Sequence, residues 1–254
     1  MNHWYVIQTR VNEEEKLVDL IKKLIPPKKN LYVDCFVPKY DNVWRLKGMC
    51  LVNTEIMFGG YVFVITDCPN ELYMELKAIP KLSKLLGETD DNGEKYFVSL
   101  LNEEQRFMEN ILDMSDHIVH RSIVKRDKRG IIYQAKGALE HYLDKIVKVD
   151  FTHRRVLIDI ELFGRVRRVK LCVMGEDDCR EENIPIPEWD ENKKEFTYEV
   201  GDMIMLVSDA YKGQEFEIKK VDAKKRKVTV QIDMFGMPME LTVGEEEIVI
   251  QEES

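Results

Sequence analysis

Much is missing from this 254-residue chain, and each absence excludes something. No apolar run approaches the roughly 18 residues of a membrane-spanning helix, so no membrane partner is expected. The opening residues do not read as a signal peptide, and the expected location is the cytoplasm. The five cysteines, at 35, 50, 68, 172 and 179, are odd in number and lack Cys-x-x-Cys spacing. That pattern fits reduced thiols better than disulfides or zinc. His117-x-x-His120 offers two ligand types, but without a neighbouring cysteine or carboxylate set it reads as two polar linker residues. Phosphate-cradling glycine loops, nucleophile elbows and paired catalytic carboxylates in unlike environments are also missing. Asp177-Asp178 and Glu245-Glu246-Glu247 read as solvated acidic runs. An enzyme, a metal site and a cofactor are therefore not expected.

Against those absences stands a repeat. Ile146 to Gly164 and Ile218 to Gly236 align without a gap at an offset of 72 residues. Val149, Asp150, Arg154, Val156, Ile160, Phe163 and Gly164 correspond to Val221, Asp222, Arg226, Val228, Ile232, Phe235 and Gly236. Each copy alternates apolar residues along two strands, with a polar basic turn between them and Phe-Gly at the end. Such self-similarity means one small β module built twice.

Charge separates the copies. The net charge is −9 overall, but residues 116–171 carry 14 basic and 7 acidic side chains, whereas residues 172–254 carry 10 and 22. Residues 1–115, with 14 basic and 18 acidic, are nearly balanced. A cationic module and an anionic sibling are expected to meet different partners.

The first third mixes strands and helices. Trp4–Thr9 reads as a strand, followed by a helix over 13–25 with Asn12 as cap, Glu15 completing a capping box, and Leu17, Leu20, Ile21 and Leu24 as its stripe. Pro26-Pro27 stops that helix. Strands near 31–37 and 60–66 and a helix over 71–79 follow. A third helix begins after Asn102, with Gln105 in the capping-box position and Phe107, Met108, Ile111 and Leu112 inward. This order fits an α+β sandwich. The expected organisation is a domain over 1–115, a linker over 116–129, a first barrel over 130–173, an extended acidic linker over 174–195 and a second barrel over 196–254.

The repeat resembles the KOW motif of the SH3-like barrels in NusG-type transcription factors. Phe163-Gly164-Arg165 keeps the family's Phe-Gly-Arg, whereas the second copy reads Phe235-Gly236-Met237. The loop preceding the motif is Gly137-Ala138-Leu139 in copy one and Asp209 to Gly213 in copy two. Three earlier landmarks resemble the NusG N-terminal (NGN) domain: Trp4-Tyr5-Val6, Phe58-Gly59-Gly60-Tyr61-Val62-Phe63-Val64, and Ala78-Ile79-Pro80 through Leu86-Gly87. Gly59 stands where the family usually has proline, which predicts a less rigid turn. The resemblance implies an NGN α/β sandwich, an antiparallel sheet with helices, followed by two KOW barrels.

The resemblance also implies partners. Phe58, Tyr61 and Phe63, with Trp4 and Tyr5 in support, correspond to the apolar pocket that grips the clamp helices of RNA polymerase; core packing is the alternative for each. Lys77, Ala78 and Ile79 lie where the family approaches non-template DNA. Ala78 and Ile79 lack hydrogen-bonding side chains, which leaves Lys77 for phosphate. His153, Arg154, Arg155, Arg165, Arg167 and Arg168 form the basic rim of the first barrel, a pattern suited to nascent RNA or to an ordinary solvated surface. It resembles the KOW domain of the antitermination paralogue LoaP. Tyr211, Ile232 and Phe235 occupy the second-barrel surface that in NusG meets Rho or a ribosomal protein. The expected function is processive antitermination; the alternatives are an RNA- or ribosome-binding KOW adaptor and a general NusG acting with Rho.

Overall fold

The computed structural model describes residues 3–25, 30–46, 49–83, 97–234 and 237–249. By contact the chain divides into two units, one of residues 1–124 and 135–187, the other of residues 125–134 and 188–254. Among the described residues no helix is long and apolar enough to cross a membrane.

The first unit opens with β1 (His3–Gln8), α1 (Glu14–Leu24), β2 (Asp34–Phe36), β3 (Lys39–Leu46), β4 (Met49–Ile56) and β5 (Tyr61–Thr66). Next come α2 (Pro69–Ala78), α3 (Pro80–Ser83), β6 (Phe97–Ser99), α4 (Asn102–Ile111) and β7 (Ile118–Val119). The main sheet runs β2-β5-β1-β6, with β1 antiparallel to β5 from His3↔Thr66 to Gln8↔Tyr61. The α1 stripe packs on one face of it. Leu17, Val18, Ile21 and Ile25 join Ile7, Val62 and Val64 in a single core, with Leu20 and Leu24 at its edge. Strands β4-β3-β7 form a second sheet.

Local expectations are corrected at two helix starts. Asn12 takes a left-handed backbone, φ 68°, and α1 begins without a side-chain cap. Glu15 instead reaches Lys39, 2.6 Å away, and the buried Glu14 accepts the Gly60 N–H at 2.5 Å. Tertiary partners have taken the carboxylates that a capping box needs. At α4 the residue that folds back is Glu104, which accepts the Leu101 N–H at 2.8 Å. Gln105 accepts the Trp4 N–H instead. The Pro26-Pro27 stop and the Leu86-Gly87 landmark lie outside the described residues.

Residues 116–129, expected as a linker, contain β7 and β8 (Ser122–Arg126). After β9 (Ile132–Lys136) come β10 (Ile146–Asp150), β11 (Arg155–Leu162) and β12 (Arg165–Gly175), in a sheet ordered β10-β11-β12-β8-β9. Gly137, at φ 98°, makes the turn that lets the Leu139 N–H reach the Ser122 hydroxyl at 2.9 Å. Leu139, Val156, Ile158, Leu162 and Leu171 are wholly buried. The acidic segment beyond, expected to be extended, turns into α5 (Glu176–Glu181).

The second unit contains β13 (Met203–Met205), β14 (Glu215–Asp222), β15 (Lys227–Met234) and β16 (Met237–Gly244), in sequential order. Phe196, Ile204, Phe216, Ile218, Val228 and Val230 fill its core. Residues 125–134 belong here: Gln134 Nε2 donates to the carbonyls of Asp190 and Lys193, and Arg129 donates to those of Phe196 and Tyr198.

The repeat is one module twice, down to its irregularity. The β10–β11 pairs Ile146↔Ile158, Val149↔Val156 and Asp150↔Arg155 recur 72 residues later as Ile218↔Val230, Val221↔Val228 and Asp222↔Lys227. The register shift at Ile146/Lys148 recurs at Ile218/Lys220. Arg154 and Arg226 share a left-handed turn conformation, at φ 48° and 51°.

Candidate binding site

The aromatic residues of the first unit gather around the turn before β5. Gly60 sits at φ 81°, and a Cβ there would approach the Thr9 carbonyl oxygen to 3.2 Å, so the turn requires glycine. Glu14 anchors the Gly60 N–H from α1 and so fixes the positions of Phe58 and Tyr61. Phe63 lies beneath them, fully buried, 6.0 Å from Phe58. Trp4 packs edge-on against Phe36 and Phe63, at 5.5 and 6.3 Å, and is 3% exposed. The expectation that Trp4 and Phe63 face a partner does not fit this burial; they form the floor of the patch. Phe58 and Tyr61 are half-buried and stand above it, whereas the half-buried Tyr5, expected to support the pocket, packs against the α1 core on the opposite face of the sheet.

The first barrel covers that patch. Phe163, from its Phe-Gly bend, stacks on Tyr61 at 4.9 Å and meets Phe58 edge-on at 5.7 Å. Arg167 lies over both Tyr61 and Phe163, at 5.6 and 5.4 Å, and its guanidinium donates to the Tyr61 hydroxyl at 3.1 Å. The Gly164 N–H points to Glu104, 3.4 Å away. Farther along, Lys170 Nζ sits 4.8 Å above the Tyr40 ring and 3.4 Å from Glu55, which also accepts from the Tyr40 hydroxyl and Asn42. The hydrogen bond from Tyr40 is the main influence lowering the Glu55 pKa. This cover was not legible in the sequence, since it joins residues about a hundred positions apart.

The six expected RNA contacts are scattered and mostly paired. Arg154 is 8% exposed and donates to Asp178 through Nε and Nη2, at 3.2 and 2.5 Å. It faces α5 rather than solvent, so a direct phosphate contact does not fit its place. Asp178, expected as a solvated acid, is its partner and also accepts the Gly175 N–H at 3.1 Å. Arg155 and His153 both engage Asp150, at 2.9 Å, and Arg168 pairs with Asp159 at 2.8 Å. The contact with His153, foremost, pulls the Asp150 carboxyl down to about 2. Arg167 is in the cover. Arg165 is exposed, with no partner among the described residues.

The remaining candidates are also placed. Lys77 is exposed and lies over its neighbour Tyr73 at 4.7 Å; Ala78 is exposed, and Ile79 packs at the core edge. In the second unit Tyr211 meets Phe216 edge-on at 5.6 Å. Ile232 is 4% exposed and belongs to the core, so it offers no docking surface. Phe235 lies outside the described residues. His117 stacks on Phe36 at 4.0 Å and contacts Asp34 at 2.7 Å, so it is part of the fold rather than of a linker. His120 does have carboxylates nearby: its ring, Asp113 and Asp116 bring ligand atoms within 4.8 Å of one another, all exposed.

An α+β domain with an aromatic patch at one sheet strand, followed by two copies of a small β module, defines a modular α+β protein. Residues 2–117 match the family model described as "NusG: Transcription termination factor nusG". Over that stretch the chain is similar to the NusG family. A "Transcription termination/antitermination protein NusG" from Helicobacter pylori (strain J99 / ATCC 700824) is 21% identical over 67% of this chain and 95% of its own length. The protein of the same description from Campylobacter jejuni is 26% identical over 34% of this chain and 50% of its own. The solved chain described as "Domain interaction in Thermotoga maritima NusG" aligns with 98% of this chain and 96% of its own at 18% identity, with a TM-score of 0.31.

Proposed function

We propose that this protein is a transcription elongation factor of the antitermination type, resembling LoaP, whose N-terminal domain binds RNA polymerase. Clustering of Phe58 and Tyr61 on the Gly60 turn, over a floor of Trp4 and Phe63, carries the reading. A few aromatics on a preorganised base suffice to seat a partner helix. No bond is made or broken; tighter binding to one conformation of the polymerase shifts its population toward processive elongation.

In the arrangement described, Phe163 and Arg167 occupy the patch. Polymerase binding therefore requires the first barrel to leave it. Two features favour a reversible cover. Arg167 Nε is buried without a hydrogen-bond partner, which costs the closed arrangement about 1–3 kcal/mol. The ring–ring contacts are individually modest, worth about 0.5–1.5 kcal/mol per pair beyond buried area. Once released, the barrel presents Arg167 and Phe163 beside Arg165, a basic and aromatic surface suited to looped RNA. The second, acidic barrel is the better candidate for a protein partner such as Rho or a ribosomal protein.

Retention on core RNA polymerase tests this. The intact protein should be retained and Phe58→Asp should be lost. If neither is retained even with the cover weakened by Phe163→Ala, the adaptor reading takes its place. For the RNA contact, Arg165→Ala with Arg167→Ala should weaken hairpin binding and lower its salt slope by about 2.

A further inference from the structure

Away from the aromatic patch, a cavity of about 520 Å³ opens between β3 and the β10–β11 turn. Its walls carry Asn42 and Trp44 from β3, Phe151, His153 and Arg155 from the turn, and Lys170 from β12. Trp44 is the feature out of place. It is 42% exposed, with no ring contact among the described residues, whereas Trp4 is 3% exposed. The polar groups beside it are held in place. Asp150 accepts from Arg155 Nε and Nη2 at 3.1 and 2.9 Å and contacts His153 Nδ1 at 2.9 Å. That leaves Arg155 Nη1 and His153 Nε2 without a partner among the described residues, and Lys170 spends one N–H on Glu55. A carboxylate that orients a guanidinium and an imidazole while leaving an edge of each open makes a prepared anion cradle.

We propose that this cavity binds a nucleotide, its base stacked on Trp44 and its phosphate on Arg155, His153 and Lys170. A simple anion would leave the indole unused, and an apolar ligand would leave the open edges of Arg155, His153 and Lys170 unused. A base joined to a phosphate answers both, and the volume falls within the range of small-molecule sites. Base–aromatic stacking contributes about 1–3 kcal/mol and tolerates any base. Because β3 and the barrel each supply a wall, the cavity exists only while they are packed together. Its ligand therefore favours the closed arrangement, and a partner that displaces the barrel competes with it. The site itself needs only that packing, and it stands whether or not polymerase is the partner.

Calorimetric titration of the full chain with adenosine 5′-monophosphate, adenosine, inorganic phosphate and single-stranded hexaadenylate tests the assignment. The monophosphate should bind at least tenfold tighter than adenosine or phosphate and should raise the thermal midpoint. Trp44→Leu and Arg155→Gln should each weaken it at least tenfold while keeping the native circular dichroism spectrum. Hexaadenylate binding tighter than the monophosphate identifies the source as a nucleic-acid strand; equal or weaker binding identifies a free nucleotide. Phosphate binding as tightly as the monophosphate, indifference to Trp44→Leu, or no heat from any probe at millimolar concentration overturns the proposal.

Discussion

The Phe163 ring lies flat against Tyr61, with centroids 4.9 Å apart and planes 10° from parallel. One residue comes from the Phe-Gly bend of the first β module, the other from the strand that gives the N-terminal domain its aromatic patch. The bend that marks the repeat in the sequence is, in the fold, the plug on the candidate docking surface.

Arg154 should matter for stability more than for RNA. Its side chain is 10% exposed and its partner Asp178 is 24% exposed, so Arg154→Ala strands a largely buried carboxylate. Loss of about 2–4 kcal/mol is expected on chemical denaturation. Asp178→Ala in addition should cost much less than the sum of the two single changes. Arg226→Ala, at the repeat-related position but 35% exposed, should cost less. Arg165→Ala should leave stability within about 0.5 kcal/mol of the parent.

The Gly60 turn and Glu14 should fail together. Gly60→Ala forces a Cβ to 3.2 Å from the Thr9 carbonyl at φ 81°, with an expected loss of about 1–3 kcal/mol. Glu14→Ala removes the acceptor for the buried Gly60 N–H and should cost about 1–3 kcal/mol. Glu14→Gln keeps an acceptor and should be milder, because Glu14 Oε2 has no partner to lose. Thermal melts of the three variants check the ranking.

Thiol chemistry should separate the cysteines. Burial pushes Cys35 and Cys172 up to about 12, so both remain protonated and enclosed at pH 8. A thiol-reactive probe at that pH should label Cys50 and Cys68, which are half-buried, well before either. Because the folded values are raised, stability from these neutral thiols is fully present below about pH 9. It is lost as pH climbs toward 12.

Periodic features were legible in the sequence. The repeat register could be read because alternation fixes which face each residue takes, and α1 and α4 because their stripes recur at helical spacing. The β3–β4 hairpin was missed. Asp41, buried through bonds to the Arg121 N–H and to His120, sits where an inward apolar residue would have marked a strand. Charge counting overstated the basic rim for a related reason. Arg154, Arg155 and Arg168 meet carboxylates that only the fold brings to them. Contacts between distant segments, such as Phe163 on Tyr61, leave no local pattern.

The most direct measurement is the affinity of the full chain for core RNA polymerase, with and without the plug. Phe163→Ala combined with Arg167→Ala removes the stacked ring and the guanidinium while leaving Phe58 and Tyr61 in place. Binding at least tenfold tighter than the parent, a change of about 1.4 kcal/mol, is the predicted result, with Phe58→Asp in the same background abolishing it. Unchanged or weaker binding by the unplugged variant, or full binding by its Phe58→Asp derivative, would contradict a polymerase-binding patch held under the first barrel.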